Sequence, residues 1–140
     1  MGFRKIVLVV VLFISRAFAQ TSFSRELETV YPDAHALYLD VHQHPELSGH
    51  ETETASKLSA KLKGLGYEVT DHVGRTGIVA LLENGSGPTI MLRTELDALP
   101  VEEKTGLPYA SKVHAKDDAG HDVAVMHACG HDLHMAALLG

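Results

Sequence analysis

The chain has 140 residues, a formal net charge of −6, ten histidines and a single cysteine. Acid exceeds base without any clustered run of Lys and Arg, which argues against a nucleic-acid or anionic-membrane surface. The length suits one hydrophobic core rather than several domains.

Residues 1–19 read as an address. Arg4 and Lys5 give a basic start, 6–14 are uniformly apolar, and Ala17-Phe18-Ala19 has the small-x-small pattern that a signal peptidase cuts after. The apolar run is far shorter than the roughly 20 residues a bilayer span needs. A signal peptide over 1–19 therefore predicts a mature chain from Gln20, secreted or periplasmic, and free of the membrane after cleavage. Losing Arg4, Lys5 and Arg16 with that segment moves the net charge from −6 to −9. In an oxidising compartment a lone cysteine, Cys129, has no internal disulfide partner, so its thiol is buried, paired between chains, or bound to something.

From Ser24 onward, Leu27, Val30, Tyr31, Ala34, Leu37, Tyr38 and Val41 recur at three- and four-residue steps, which predicts one apolar stripe along a helix closing at His44-Pro45. Pro32 is expected to kink that helix or to mark its first turn. Ser48 with Glu51 forms a capping-box signature for a second helix, whose apolar face is Ala55, Leu58, Leu62 and Leu65 and whose end lies at Gly64 or Gly66. Strands are predicted at Tyr67 to Thr70, Gly77 to Leu82 and Pro88 to Arg93, the last as a strand buried on both faces. Asn84-Gly85-Ser86-Gly87 reads as the hairpin turn between the last two, and turn chemistry explains these residues without invoking the glycosylation sequon they also spell. Tyr109 to Lys116 and His121 to Met126 flank Asp117-Asp118-Ala119-Gly120 as a second hairpin, followed by a helix over 132–139. Helices alternating with buried strands predict an α/β fold with helices packed on a sheet. The apolar face of the last helix has no later element to meet, which points to a truncated domain.

His127, Cys129 and His131 are spaced by two, so an extended segment would turn all three to one side. Thiolate and imidazole are the donors that zinc and its neighbours favour. A lone cysteine retained in an oxidising compartment fits that use, although Cys-x-His alone is a weak signal and a single cysteine in an apolar setting is usually just packing. Asp132 and His134 add groups able to orient a ligand ring. Glu95 and Asp97 alternate at the end of the predicted buried strand, where open α/β sheets gather function; they suit metal or proton chemistry, or else a strand running out into a polar loop. His42 and His44 before Pro45 are read more simply, as histidines at a helix C-terminus.

Four blocks together resemble metallopeptidase family twenty, in its amidohydrolase branch of hippurate hydrolases and N-acyl-amino-acid hydrolases. They are His42-Gln43-His44-Pro45-Glu46-Leu47-Ser48, Leu92 to Pro100, Glu103 to Tyr109, and Met126 to Gly140. The resemblance implies that residues 20–140 are the N-terminal portion of a zinc-exopeptidase-like catalytic domain, a mixed sheet flanked by helices, without the lid domain used for dimerisation. It implies that Cys129 and His131 are ligands of a centre of two divalent metal ions, zinc or manganese, and that Asp97 is the active-site acid. Glu95 stands where the branch usually has aspartate, and His134 matches a position beside the ligands. A glutamate general base, a carboxylate ligand and two further histidine ligands would follow the position of Gly140. The expected activity of the intact protein is hydrolysis of the amide bond of an N-acyl amino acid or dipeptide-like compound, in a homodimer, with this chain alone inactive. The alternative is a secreted, non-catalytic metal-binding or interaction protein.

Overall fold

The computed structural model describes residues 3–140, with side chains from Phe23 onward. The signal peptide expected over 1–19 therefore lies outside the residues whose side chains are described. The chain divides into a unit of residues 1–33 with Gly140 and a unit of residues 34–139.

Helix α1, Phe3–Gln43, is longer than the periodicity predicts and carries Pro32 inside it. In the first unit Thr29 Oγ1 donates to the Arg25 carbonyl at 3.0 Å. The predicted apolar stripe is buried only in part. Leu37 and Val41 are core residues, whereas Leu27, Val30 and Tyr31 are exposed.

In the second unit, α1 ends against Pro45, which lacks an N–H to continue the helix. Helix α2, Thr52–Gly64, follows, and its buried face is Thr54, Ala55, Leu58, Ser59 and Leu62. Leu65, expected on that face, is exposed beyond the helix end. The helix start also differs from the capping-box expectation. The Glu46 carboxylate accepts from Glu53 N at 3.1 Å and Thr54 N at 2.7 Å, while Glu51 turns away to accept from Thr76 Oγ1 at 2.6 Å. A full negative charge at the positive end of the helix is a stronger cap than a serine hydroxyl, which explains why Ser48 is left exposed.

Strands β1, Glu68–Val73, and β2, Gly77–Leu81, pair antiparallel with an irregularity between Thr70 and Val73. The hairpin thus joins the first two predicted strands. The turn predicted at 84–87 joins none, because 88–93 forms no strand and Ile90, Met91 and Leu92 are 81%, 84% and 76% exposed. A central strand is stable only when both edges are hydrogen-bonded, and among the described residues no ladder pairs this segment. Strands β3, His114–Lys116, and β4, Asp122–Ala124, form the second predicted hairpin in shorter form. Helix α3, His131–Leu139, closes the unit.

Two apolar clusters hold these elements. Leu37 and Val41 of α1, Leu58 of α2 and Met135 of α3 form one, with Ile78, Leu96 and Leu139 against it. Leu47, Ala98 and Val125 form the other, with Val113, Ala115 and Val123. Short backbone bridges set the loops in register. Leu47 pairs parallel with Ala98, Leu99 pairs antiparallel with Met126, and Val125 N donates to the Val113 carbonyl at 3.0 Å. This α/β arrangement, with two antiparallel ladders and one parallel bridge, delivers Asp97 and His127 to neighbouring positions.

Candidate metal centre

The segment after Met126 is not extended. Ala128 and Cys129 form a turn, Gly130 takes φ 78°, and His131 is already the first residue of α3. A left-handed residue at 130 favours glycine and breaks the two-residue alternation, so His127, Cys129 and His131 do not share a face as their spacing suggests. His127 is buried, His131 half-buried and Cys129 exposed.

Asp97 and His131 do meet. His131 Nδ1 donates to the Asp97 carbonyl at 2.8 Å and lies 3.1 Å from Asp97 Oδ1. A carbonyl oxygen can only accept, so the proton sits on Nδ1 and Nε2 is left as the coordinating atom of the ring. Orienting an imidazole through its other nitrogen is the usual support of a metal-ligating histidine. The tilted His134 ring lies 5.9 Å from that of His131, and His134 Nδ1 is 3.9 Å from Glu95 Oε2. Glu95 also pairs with Arg93 at 3.2 Å, on the exposed side of the segment.

His127 is 4% exposed, and neither ring nitrogen has a hydrogen-bond partner. Burial pushes its pKa below the usual histidine value, with Asp132 and Asp97 opposing and His42 and His131 reinforcing the shift. A buried imidazole without a hydrogen-bond partner carries a cost of about 1–3 kcal/mol. Among the described residues no group of three or more His, Cys, Asp or Glu is arranged to hold a metal ion by itself. The thiol of Cys129 and the imidazole of His131 are donor types that divalent metal ions accept, and by themselves they amount to part of a coordination shell.

The structure brings out residues that sequence reasoning passed over. His42, read as a helix-end histidine, is buried and bonded on both nitrogens: Nδ1 to Asp132 Oδ2 at 2.6 Å, and Nε2 to Glu103 at 3.2 Å. Burial alone would lower its pKa, but the hydrogen bonds to Asp132 and Glu103 and their charges outweigh it and raise the value. Burial likewise pushes Glu103 up, yet Thr105 Oγ1, Ser111 N and His42 bring it below the ordinary glutamate value. The histidine near Pro45 was visible in the sequence; its carboxylate partners, 61 and 90 residues away, carried no local signal.

Residues 91–140 match the sequence profile of peptidase family M20/M25/M40. The chain is 48% identical over 101 residues to the N-acetyl-L-cysteine deacetylase of Bacillus subtilis, covering 71% of this chain and 22% of that protein. It is 47% identical over 100 residues to the hippurate hydrolase of Campylobacter jejuni, covering 71% and 24%. Among solved structures it superposes on a Bacillus subtilis dinuclear metal-binding peptidase of the M20 family with a TM-score of 0.67 and 37% identity, over 80% of this chain and 29% of that one. The chain thus spans about a quarter of the length of these relatives. Over that span its fold is that of a solved M20 peptidase, and the two relatives named above are a deacetylase and a hydrolase, in line with the resemblance carried by the four sequence blocks.

Proposed function

We propose that this chain supplies part of the metal centre of an M20 amidohydrolase that cleaves the amide bond of an N-acyl amino acid or a dipeptide-like compound. The observation that carries the reading is the contact of His131 Nδ1 with Asp97 inside the matched segment 91–140. It leaves Nε2 of His131 for a metal, and the thiol of Cys129, two residues earlier, is exposed. A pair of divalent ions in such a site supplies the charge that polarises a carbonyl and acidifies water. The side chains of this chain have simpler tasks. Asp97 orients His131 through its carbonyl and its partly exposed carboxylate, and is the active-site acid of this reading. Relatives that act on hippurate and N-acetylcysteine support a small acylated amino acid as substrate.

Zinc and manganese both suit these donors, and a homodimer built through a further domain belongs to the same reading. The basic, apolar and small-residue regions of 1–19 support a secreted or periplasmic site of action. We further propose that the 140-residue chain alone has no turnover, because a hydrolytic site needs at least three protein ligands and a base, and no such group exists among the described residues.

A chimera tests the reading. Residues 91–140 replace their counterparts in the Campylobacter hippurate hydrolase, and the product is checked for folding by circular dichroism. We expect hippurate hydrolysis that is abolished by Cys129→Ala and by His131→Ala, each with loss of bound metal. A folded chimera that binds metal and turns over hippurate equally well without Cys129 and His131 refutes it.

A further inference from the structure

The cluster around His42 contains none of the proposed ligands, and no step of the proposed chemistry uses it. We infer that His42 is a positioning residue for the metal-bearing turn: its imidazole tethers both ends of the segment Val125–Asp132, between which Cys129 and His131 are carried. The inference rests on the reading of those two residues as ligands.

The geometry closes a ring. Carboxylates only accept hydrogen bonds, so a histidine bonded to Asp132 through Nδ1 and to Glu103 through Nε2 donates from both nitrogens. On one side, Asp132 Oδ1 accepts from Leu133 N at 2.8 Å, so a single buried carboxylate joins the first turn of α3 to α1. That fixes the residue next to His131. On the other side, Glu103 accepts from Thr105 Oγ1 and from Ser111 N at 2.6 Å, and Ser111 Oγ donates to the Val125 carbonyl at 2.7 Å. Val125 lies two residues before His127. The two arms therefore grip the segment before and after the turn, and the Tyr109 ring packs at a steep angle beside the imidazole, with the two ring centroids 5.5 Å apart.

The arrangement is poorly explained as a stabilising device. One cation between two buried anions costs desolvation that apolar side chains of equal volume would avoid, and the best-attested use of such a cluster is to fix register. Here the register is that of a turn with a left-handed glycine, Gly130, which has no strand ladder of its own. His127, with both nitrogens unpartnered, lies in the same field, so a shift of this turn would also move a third imidazole relative to Asp97.

The test uses the 140-residue chain and two readouts. In the metal-free chain, amide hydrogen exchange is compared between wild type and His42→Gln. We expect at least tenfold faster exchange over 128–133, with Val69 and Ala80 of the β1–β2 hairpin within about twofold. In the second readout cobalt(II) alone is titrated and the thiolate-to-cobalt absorption followed. The midpoint should rise about 10–100-fold in His42→Gln, as when an outer partner of a ligand is lost, while the band keeps its dependence on Cys129. Glu103→Gln, which keeps the packing, should move both readouts in the same direction by less. Acceleration spread evenly over the chain, or no change at 128–133, overturns the inference; so does a localised change with an unaltered cobalt midpoint. Wild type lacking any Cys129-dependent absorption refutes the ligand reading instead, and faster exchange confined to 128–133 would then still establish His42 as the residue that positions the turn.

Discussion

Met135 is the residue by which the helix carrying His131 reaches the core, and its truncation provides a quantitative test of how that helix is held. Its side chain is 0% exposed and packs with Leu37, Val41 and Leu58, drawn from the other two helices. Met135→Ala removes Cγ, Sδ and Cε. At about 0.8 kcal/mol for each buried methylene-sized group, the transfer cost is roughly 2.4 kcal/mol. A residual void of roughly 50 Å³ at about 24 cal/mol per Å³ adds about 1.2 kcal/mol. The sum, near 3.5 kcal/mol, is a large part of the 5–15 kcal/mol that typically holds a domain of about this size. With a urea m-value of about 2 kcal/mol/M, the midpoint should fall by roughly 1.7 M at unchanged m. Met135→Leu, which conserves volume, should cost less than about 1.5 kcal/mol. A Met135→Ala midpoint within about 0.3 M of wild type would mean that α3 is not anchored through this side chain, and the account of the core would fail.

The remaining predictions concern charge. His42 has a raised pKa, so its contribution to stability is complete below the unfolded value of 6.5 and is lost as pH rises through the folded value. Glu103 has a lowered one, so its contribution is complete above 4.5 and is lost as pH falls through the folded value. Urea midpoints from pH 4 to 9 should therefore pass through a maximum, and His42→Gln should flatten the alkaline limb; an alkaline limb unchanged in that variant contradicts the assignment. Glu46→Ala removes the cap of α2 and should cost about 1–2 kcal/mol, with Ser48→Ala near zero; equal losses from the two would restore the capping box. Arg93→Ala breaks a contact whose arginine is 75% exposed, and a stability change above about 1 kcal/mol would argue against its surface character. Cys129→Ser should abolish the charge-transfer absorption of the cobalt-loaded chain, since an alkoxide is not available near neutral pH and the sulfur is the donor that gives the band.

What the sequence made legible was local. The end of α2 at Gly64–Gly66, the β3–β4 hairpin around Asp117–Gly120 and the start of the last helix within one residue of expectation all follow from turn chemistry and periodicity over a few positions. What it hid depends on partners far along the chain. Pro88 to Arg93 has the composition of a buried strand, but composition does not provide the neighbouring strands that burial requires, and the segment is exposed. Ser48 is a sound cap by pattern, and it loses to Glu46 because a charged acceptor closer in space to Glu53 N and Thr54 N competes for the same donors.

The segment proposed to bear metal shows how the two kinds of information meet. Spacing by two identified His127, Cys129 and His131 as a group through an argument about strands, yet the residues sit on a turn. Donor chemistry survives that error, because it depends on which atoms are present; facing does not, because it depends on φ at Gly130. A turn of this kind is held by a few backbone bonds, Ala128 N to the Met126 carbonyl, Gly130 N to the His127 carbonyl and the Leu99–Met126 bridge, and side chains add the remaining constraint. Asp97 provides it for the ring of His131, and His42, through Asp132 on one side and Glu103 and Ser111 on the other, provides it for the backbone that carries both donors. A histidine that looked like an ordinary helix-end residue is thus better understood by what it grips than by where its helix ends.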